Sequence, residues 1–406
     1  MIEFPKDFFW GAATSAYQVE GNNVNSDWWE WENKTGLGNK SGDACRHYQL
    51  YNEDFDLARK LNHNCHRLSL EWARIEPDKG SFSEEEIKHY SGVLDSLRQH
   101  SLEPLVTLHH FTNPIWFSRL DGWLDKNNIK YFLGYTRKAA EEFCGKVKFW
   151  VTINEPMVYA YYSYVLGQWP PQVKSFPLSR QVVKNMVIAH IKAYRIIHDV
   201  YKKRGLNPPL VSIAQNVQSF VPCKDTLRNK FGAYLRNQLY NLDFINRISR
   251  QKALDFIGLN YYTWGPVETK SWHPKSLILD VCTENHHHLK KNTLGWDIYP
   301  QGLKDVLLSF KRYNLPLFIL ENGICTEDDN LRWEYISQHL EKMHEAMQEG
   351  AKVIGYIHWS LLDNYEWDKG FAPRFGLVYV DYKSYSRIIK ESAYKLAEVC
   401  RSLRLK

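Results

Sequence analysis

Eight short apolar runs, each closed by polar or ionisable residues, constrain this chain more than any other feature. They cover residues 8–14, 64–70, 105–110, 148–155, 211–217, 255–262, 316–321 and 352–360. Runs of that length without polar alternation suit strands buried on both faces, as in a parallel sheet. Between several of them lie stretches with helical spacing: 52–61, with Phe55, Ala58 and Leu61 on one face, then 129–143 and 181–203. Residues 84–100 read the same way, entered through Ser83 as an N-cap. This alternation predicts an α/β fold, and eight strand-like runs predict a (β/α)8 TIM barrel formed by residues 1–406 as a single domain. A doubly wound open sheet would show the same alternation. The reactive residues favour the barrel: His110, Glu155, Tyr262, Glu321 and Trp359 each stand at the C-terminal end of a different run. In a barrel those ends converge on one face, whereas an open sheet strings them along an edge.

Composition excludes several classes. The formal charge of +6 is spread along the chain with acids interleaved, so no nucleic-acid footprint is expected. Cys45, Cys65, Cys144, Cys223, Cys282, Cys325 and Cys400 are odd in number, widely spaced and never form Cys-x-x-Cys. That pattern argues against a disulfide framework and against a zinc site, and predicts reduced thiols. His286-His287-His288 reads as an exposed loop, and no metal site is expected. The N-terminus carries no charged segment followed by an apolar stretch, and no run is long enough to cross a membrane. A cytoplasmic location without membrane partners is the expectation. The 15 Trp, 25 Tyr and 19 Phe offer flat faces on which sugar rings can lie, although aromatic side chains also fill cores.

Two runs end in carboxylates. Val151-Thr152-Ile153-Asn154-Glu155-Pro156 closes on Glu155, and Pro156 is expected to bias that residue towards extended backbone. Leu317-Phe318-Ile319-Leu320-Glu321-Asn322-Gly323 closes on Glu321, with Gly323 expected to permit a tight turn. A carboxylate directly after an apolar strand costs free energy unless it is paired. One alone would read as a structural ion-pair partner. Two across a barrel mouth are what glycosidic cleavage requires: one protonates the leaving oxygen and the other attacks the anomeric carbon.

At these residues the chain resembles glycoside hydrolase family 1, the β-glucosidase family, from about residue 4 to about residue 398. The motifs are FFWGAATSAYQVE (8–20) with Gly21, HRLSLEW (66–72), TINEP (152–156), GLNYY (258–262), GWDIYPQGL (295–303), ENG (321–323) and WSLLDNYEWDKGFAPRFGLVYVD (359–381). The resemblance implies a (β/α)8 barrel, retention of anomeric configuration and no cofactor. It makes Glu155 the general acid/base and Glu321 the nucleophile, with Arg67 and Tyr262 holding Glu321 ionised. It implies a glycone pocket of Gln18, His110, Asn154, Trp359, Glu366 and Trp367, in which Asn154 bonds the sugar 2-hydroxyl and His110 is a neutral hydroxyl donor. His109, Trp28 and Trp296 read as packing residues. Phe111 stands where the family usually has tryptophan, which keeps an apolar wall and loses an indole N–H. Trp169 is a candidate wall for the aglycone.

Three functions follow. The first is hydrolysis of a β-glycoside or oligosaccharide, most simply a β-glucoside with galactoside and fucoside side activity. A 6-phospho-β-glycosidase is the second, disfavoured because the Glu366 carboxylate would repel a phosphate of about −2 charge. The third is a catalytically silent barrel that binds sugars or proteins, disfavoured because both glutamates are present. Oligomeric state is not legible.

Overall fold

The protein is described by a computed structural model over residues 2–36, 40–283, 286 and 288–405. Its centre is a closed barrel of parallel strands: β1 (Phe9–Ala13), β2 (Cys65–Ser69), β3 (Glu103–His109), β4 (Phe149–Asn154), β5 (Leu210–Val217), β6 (Ile257–Tyr261), β7 (Leu317–Asn322) and β8 (Val353–Trp359). They pair in chain order, and β8 closes on β1. A helix follows each strand: α1 (His47–Lys60), α2 (Glu84–Gln99), α3 (Ile129–Phe143), α4 (Phe176–Lys203), α5 (Asp243–Arg250), α6 (Pro300–Phe310), α7 (Asp329–Gln348) and α8 (Glu391–Ser402). All eight expected runs are the barrel strands, and the open-sheet alternative falls.

Helix starts depart more from expectation than strand starts. Ser83 caps α2 as expected, its hydroxyl accepting from the Glu86 N–H at 3.2 Å. The helix α4 begins at Phe176 rather than 181, capped by Ser175. Its first turn contains Pro177, tolerated where a helical N–H has no partner.

The apolar residues divide into two main layers. One lies between sheet and helices; it includes Val106, Ile153, Ile213, Leu259 and Ile319 from the strands and Leu94, Phe132 and Leu340 from the helices. The other fills the barrel interior with Cys65, Leu105, Phe149, Phe256, Phe318 and Trp359. Phe9 meets Phe149 edge-on at 5.2 Å, and Phe149 meets Phe318 at 5.8 Å. The barrel is thus plugged by aromatic rings at one end, which leaves the C-terminal ends of the strands as the place for a cavity.

Two expectations need correction here. Gly323 has no positive φ; a Cβ there would strike the Trp359 carbonyl oxygen, so close approach to β8 is what requires glycine. Secondly, Cys223 and Cys282 are bonded to one another across 59 residues, whereas the other five cysteines are free and buried. The pair forms in insertions beside the barrel, where Phe220–Pro222 runs parallel to Gly265–Val267 and helices Leu227–Arg236 and Pro274–Leu279 pack together. Spacing along the chain holds no sign of it, since only this packing brings the two sulfurs together. His286 and His288 lie in the same insertion, and His287 lies outside the described residues. Among the described residues no helix is long and apolar enough to cross a membrane.

Candidate active site

A cavity of about 450 Å³ opens at the C-terminal ends of the strands. Glu155, Glu321, Tyr262, Gln18, His110, Asn154, Trp359, Glu366, Trp367, Phe111 and Trp169 all line it. Arg67 lies beneath, on β2, almost wholly buried at 1% exposure.

Arg67 organises the floor. One guanidinium nitrogen donates to Glu321 Oε1 and a second to Asn154 Oδ1 at 2.6 Å, while Nε donates to the Thr107 hydroxyl at 3.2 Å. Glu321 Oε2 accepts from the Tyr262 hydroxyl at 2.6 Å. Both oxygens of Glu321 are therefore occupied by donors, an arrangement that fixes the plane of the carboxyl group. Burial, and then the Glu321 and Glu155 charges, push the Tyr262 phenol well above its ordinary range, so it remains a donor.

Glu155 lies in a different environment. Its Oε1 accepts from Asn260 Nδ2 at 2.8 Å and Asn216 Nδ2 at 3.0 Å, with no cation bonded to it among the described residues. Burial, followed by repulsion from Glu321, raises its pKa to about 8, against a smaller opposing pull from the two amides and Arg67. The backbone corrects another expectation: Glu155 is not extended but left-handed, with φ 44° and ψ 58°. Pro156 bars only the right-handed helical region, and the Glu155 N–H is held by the Ala214 carbonyl at 2.7 Å. That contact crosses to β5 where the β4–β5 register shifts, between Val151 and Asn154. Such a conformation in a residue with a Cβ stores roughly 1 kcal/mol or more and persists only where the surroundings impose it.

The polar pocket can be traced outward from Arg67. Because Arg67 and Asn260 both donate to Asn154 Oδ1, the Asn154 amide nitrogen faces the His110 Nε2 at 3.2 Å. Nε2 must then be the unprotonated nitrogen, which leaves the proton on Nδ1, an atom without a partner among the described residues. Burial and the Arg67 charge push the His110 pKa far down, in keeping with a neutral ring. Across the cavity Trp359 Nε1 donates to Glu366 Oε1 at 3.2 Å. Burial raises the Glu366 pKa to about 8; the Trp359 bond opposes this and the Glu321 charge adds to it. Gln18 is anchored by donating to Asn364 Oδ1 and the Tyr365 carbonyl, at 2.9 and 2.8 Å.

Aromatic rings wall the mouth. Phe111 meets Trp367 edge-on at 5.3 Å and Trp169 at 5.2 Å. Trp169 stacks on Tyr162 at 4.6 Å and donates to Asp368 Oδ1 at 2.9 Å. Trp28, 1% exposed, is the packing residue expected, wedged against Trp367. His109 is likewise buried, bonded to Asn113 at 3.1 Å. Trp296 departs from its expectation as a packing residue: it is 38% exposed and lines the cavity. Asn216, Asn260 and Tyr162 are among the further site residues that sequence reasoning missed. Asn260 lies inside the GLNYY motif and Asn216 near the end of its apolar run, so strand-end position was the available signal.

Residues 1–250 and 245–404 match the profile of glycosyl hydrolase family 1. This chain belongs to that family. With the family goes the reaction, and this family 1 enzyme is a retaining β-glycosidase. A solved β-glycosidase from Pyrococcus horikoshii is 39% identical, with a TM-score of 0.94 over 100% of this chain and 96% of that one. The 1,4-β-D-glucan glucohydrolase of Thermotoga neapolitana is 30% identical over 99% of both chains. A 6-phospho-β-galactosidase of Clostridium acetobutylicum is 32% identical over 97% of this chain and 96% of its own.

Proposed function

We propose that this glycosidase hydrolyses terminal β-linked glucosides by double displacement, with Glu321 as nucleophile and Glu155 as acid/base. The observation that carries the assignment is the unequal pair of environments. Glu321 is bonded by an arginine and a phenol, whereas Glu155 has only amide donors and is pushed to about 8 by burial and by Glu321. Glu155 begins protonated and gives its proton to the leaving oxygen as Glu321 attacks the anomeric carbon. The glycosyl-enzyme ester then carries no charge on Glu321. The repulsion that raised Glu155 is gone, so its pKa falls and it takes a proton from the incoming water. Asn154 bonds a ring hydroxyl while His110 accepts from its amide and lines the pocket, Trp359 supplies the flat floor, and Gln18 with Glu366 engages the far side of the sugar.

Glu366 also separates the two enzymatic readings. A carboxyl in the pocket, 3.2 Å from Trp359 Nε1, offers a phosphorylated sugar no counter-charge. A panel of nitrophenyl β-glycosides provides the test. The glucoside is expected to lead, with galactoside and fucoside behind, and the 6-phosphoglycosides to be poor. Turnover of the 6-phosphoglycosides alone would overturn the substrate assignment, and no turnover at high enzyme concentration would favour a binding role.

The same assignment predicts a pH profile. The active form carries a protonated Glu155, so kcat/KM is present below its pKa and is lost as pH rises through about 8. Asn260→Ala removes a donor that favours the charged form. The alkaline limb of that variant is therefore expected to move upward, by roughly half to one pH unit for a bond worth about 1 kcal/mol. A limb that moves downward would show that Asn260 holds the neutral acid instead.

A further inference from the structure

The side insertions hold a cluster that the glycosidase chemistry does not use. Cys223 follows the short strand Phe220–Pro222, and Cys282 and His286 follow helix Pro274–Leu279. His286 Nε2 lies 3.6 Å from the Cys282 sulfur and 4.0 Å from the Cys223 sulfur. One ligand atom from each residue falls within 4.8 Å of the other two. We propose that, with the disulfide reduced, these three side chains form a binding site for a thiophilic divalent cation such as Zn2+.

The distances carry the argument. In a tetrahedral zinc site with bonds of about 2.3 Å to sulfur and about 2.0 Å to nitrogen, each nitrogen lies about 3.6 Å from each sulfur. His286 already meets that requirement towards Cys282 and nearly meets it towards Cys223. Only the two sulfurs must separate, to about 3.8 Å in such a site. Their Cα atoms stand 6.8 Å apart, at the far end of what a disulfide spans, so side-chain rotation suffices. The imidazole is also aimed. Trp264 packs edge-on to it at 4.9 Å, and Trp264 is itself fixed by donating to Asp297 Oδ2 at 2.9 Å and by stacking on Tyr299 at 4.6 Å. His288, its ring 6.0 Å from that of His286, or a water would complete four-coordination.

The two states exclude each other. A dithiol or phosphine reductant supplies two electrons, two protons cap the sulfurs as the S–S bond breaks, and the reductant is oxidised. The cation then displaces those two thiol protons. Either state ties residue 223 to residue 282, and so joins the insertion after β5 to the one after β6. Thr263 and Trp296, neighbours of Trp264 and Asp297, line the catalytic cavity. The clasp therefore sits behind one wall of that cavity.

The test titrates phosphine-reduced, desalted full-length protein with Co2+ and then Zn2+, following the thiolate-to-cobalt charge-transfer band and competition with a chromophoric chelator. Reduced protein is expected to bind one equivalent with a tetrahedral spectrum, and oxidised protein none. Cys282→Ser is expected to lose the charge-transfer band, and His286→Ala to bind about 10- to 100-fold more weakly. Turnover of nitrophenyl glucoside by both variants reports that they fold. In the wild type, Zn2+ is expected to protect Cys223 and Cys282 from alkylation, read by peptide mass spectrometry; that measurement needs no variant. Equal binding by oxidised and reduced protein, wild-type affinity in His286→Ala, or alkylation unaffected by Zn2+ would each overturn the proposal.

Discussion

Glu321→Gly is expected to lose turnover of unactivated β-glucosides by roughly four orders of magnitude or more, the scale on which removing a nucleophile acts. Azide should restore cleavage of an activated aryl glucoside and yield the α-glucosyl azide. Deleting the side chain leaves a space bounded by the Arg67 guanidinium and the Tyr262 hydroxyl, the two groups that held the carboxylate. A small anion fits that charge and size. It attacks from the face Glu321 used, and one displacement inverts the anomeric centre. The substitution also strands Arg67, a buried cation, so a loss of stability of a few kcal/mol is expected alongside. Glu321→Gln keeps the volume but not the charge, so Arg67 stays uncompensated: it should recover only the part of the stability that lost packing costs, and none of the turnover. Full activity in either variant, or a β-azide product from Glu321→Gly, would remove Glu321 from the nucleophile's role.

Glu155→Ala should behave differently with leaving group. For glucosides whose leaving alcohol needs a proton, kcat/KM is expected to fall by about 10²- to 10⁴-fold, the usual contribution of a positioned acid. For a dinitrophenyl glucoside, whose phenolate leaves unaided, the first step should survive and the second should stall. A burst of phenolate and an accumulated glycosyl-enzyme are the expected signs. Azide should then release the intermediate as the β-glucosyl azide, because it arrives from the side Glu155 occupied and completes a second inversion. The alkaline limb near 8 should vanish with the carboxyl that causes it. The two variants thus give opposite anomers with one reagent. A Glu155→Ala enzyme with equal losses on all leaving groups would make Glu155 a binding residue instead.

The reach of the sequence is uneven, and the reasons are physical. Buried parallel strands must be apolar on both faces, so β1–β8 are visible as continuous runs. A carboxylate at the end of such a run conflicts with its surroundings, which is why Glu155 and Glu321 stood out before any geometry was known. Phe111 was legible only through the resemblance, as a departure from the tryptophan the family usually carries there, and Trp169 as a candidate aglycone wall in a connecting segment. Trp296 was misread because composition cannot say whether an indole faces a core or a cavity.

What the sequence by itself determined is the alternation of strand and helix, the positions of the two glutamates and, through its ordered motifs, the family. Only tertiary structure decided how those glutamates differ. The pKa of Glu155 follows from burial and from a charge on β7, its left-handed backbone from a carbonyl on β5, and its amide partners from β5 and β6. The Cys223–Cys282–His286 cluster is of the same kind, its cysteines 59 positions apart along the chain. Local patterning reports whether a residue is buried, because burial acts on each side chain where it stands. Charge, hydrogen bonding and ligand geometry act between side chains, and the barrel must close before those pairs exist.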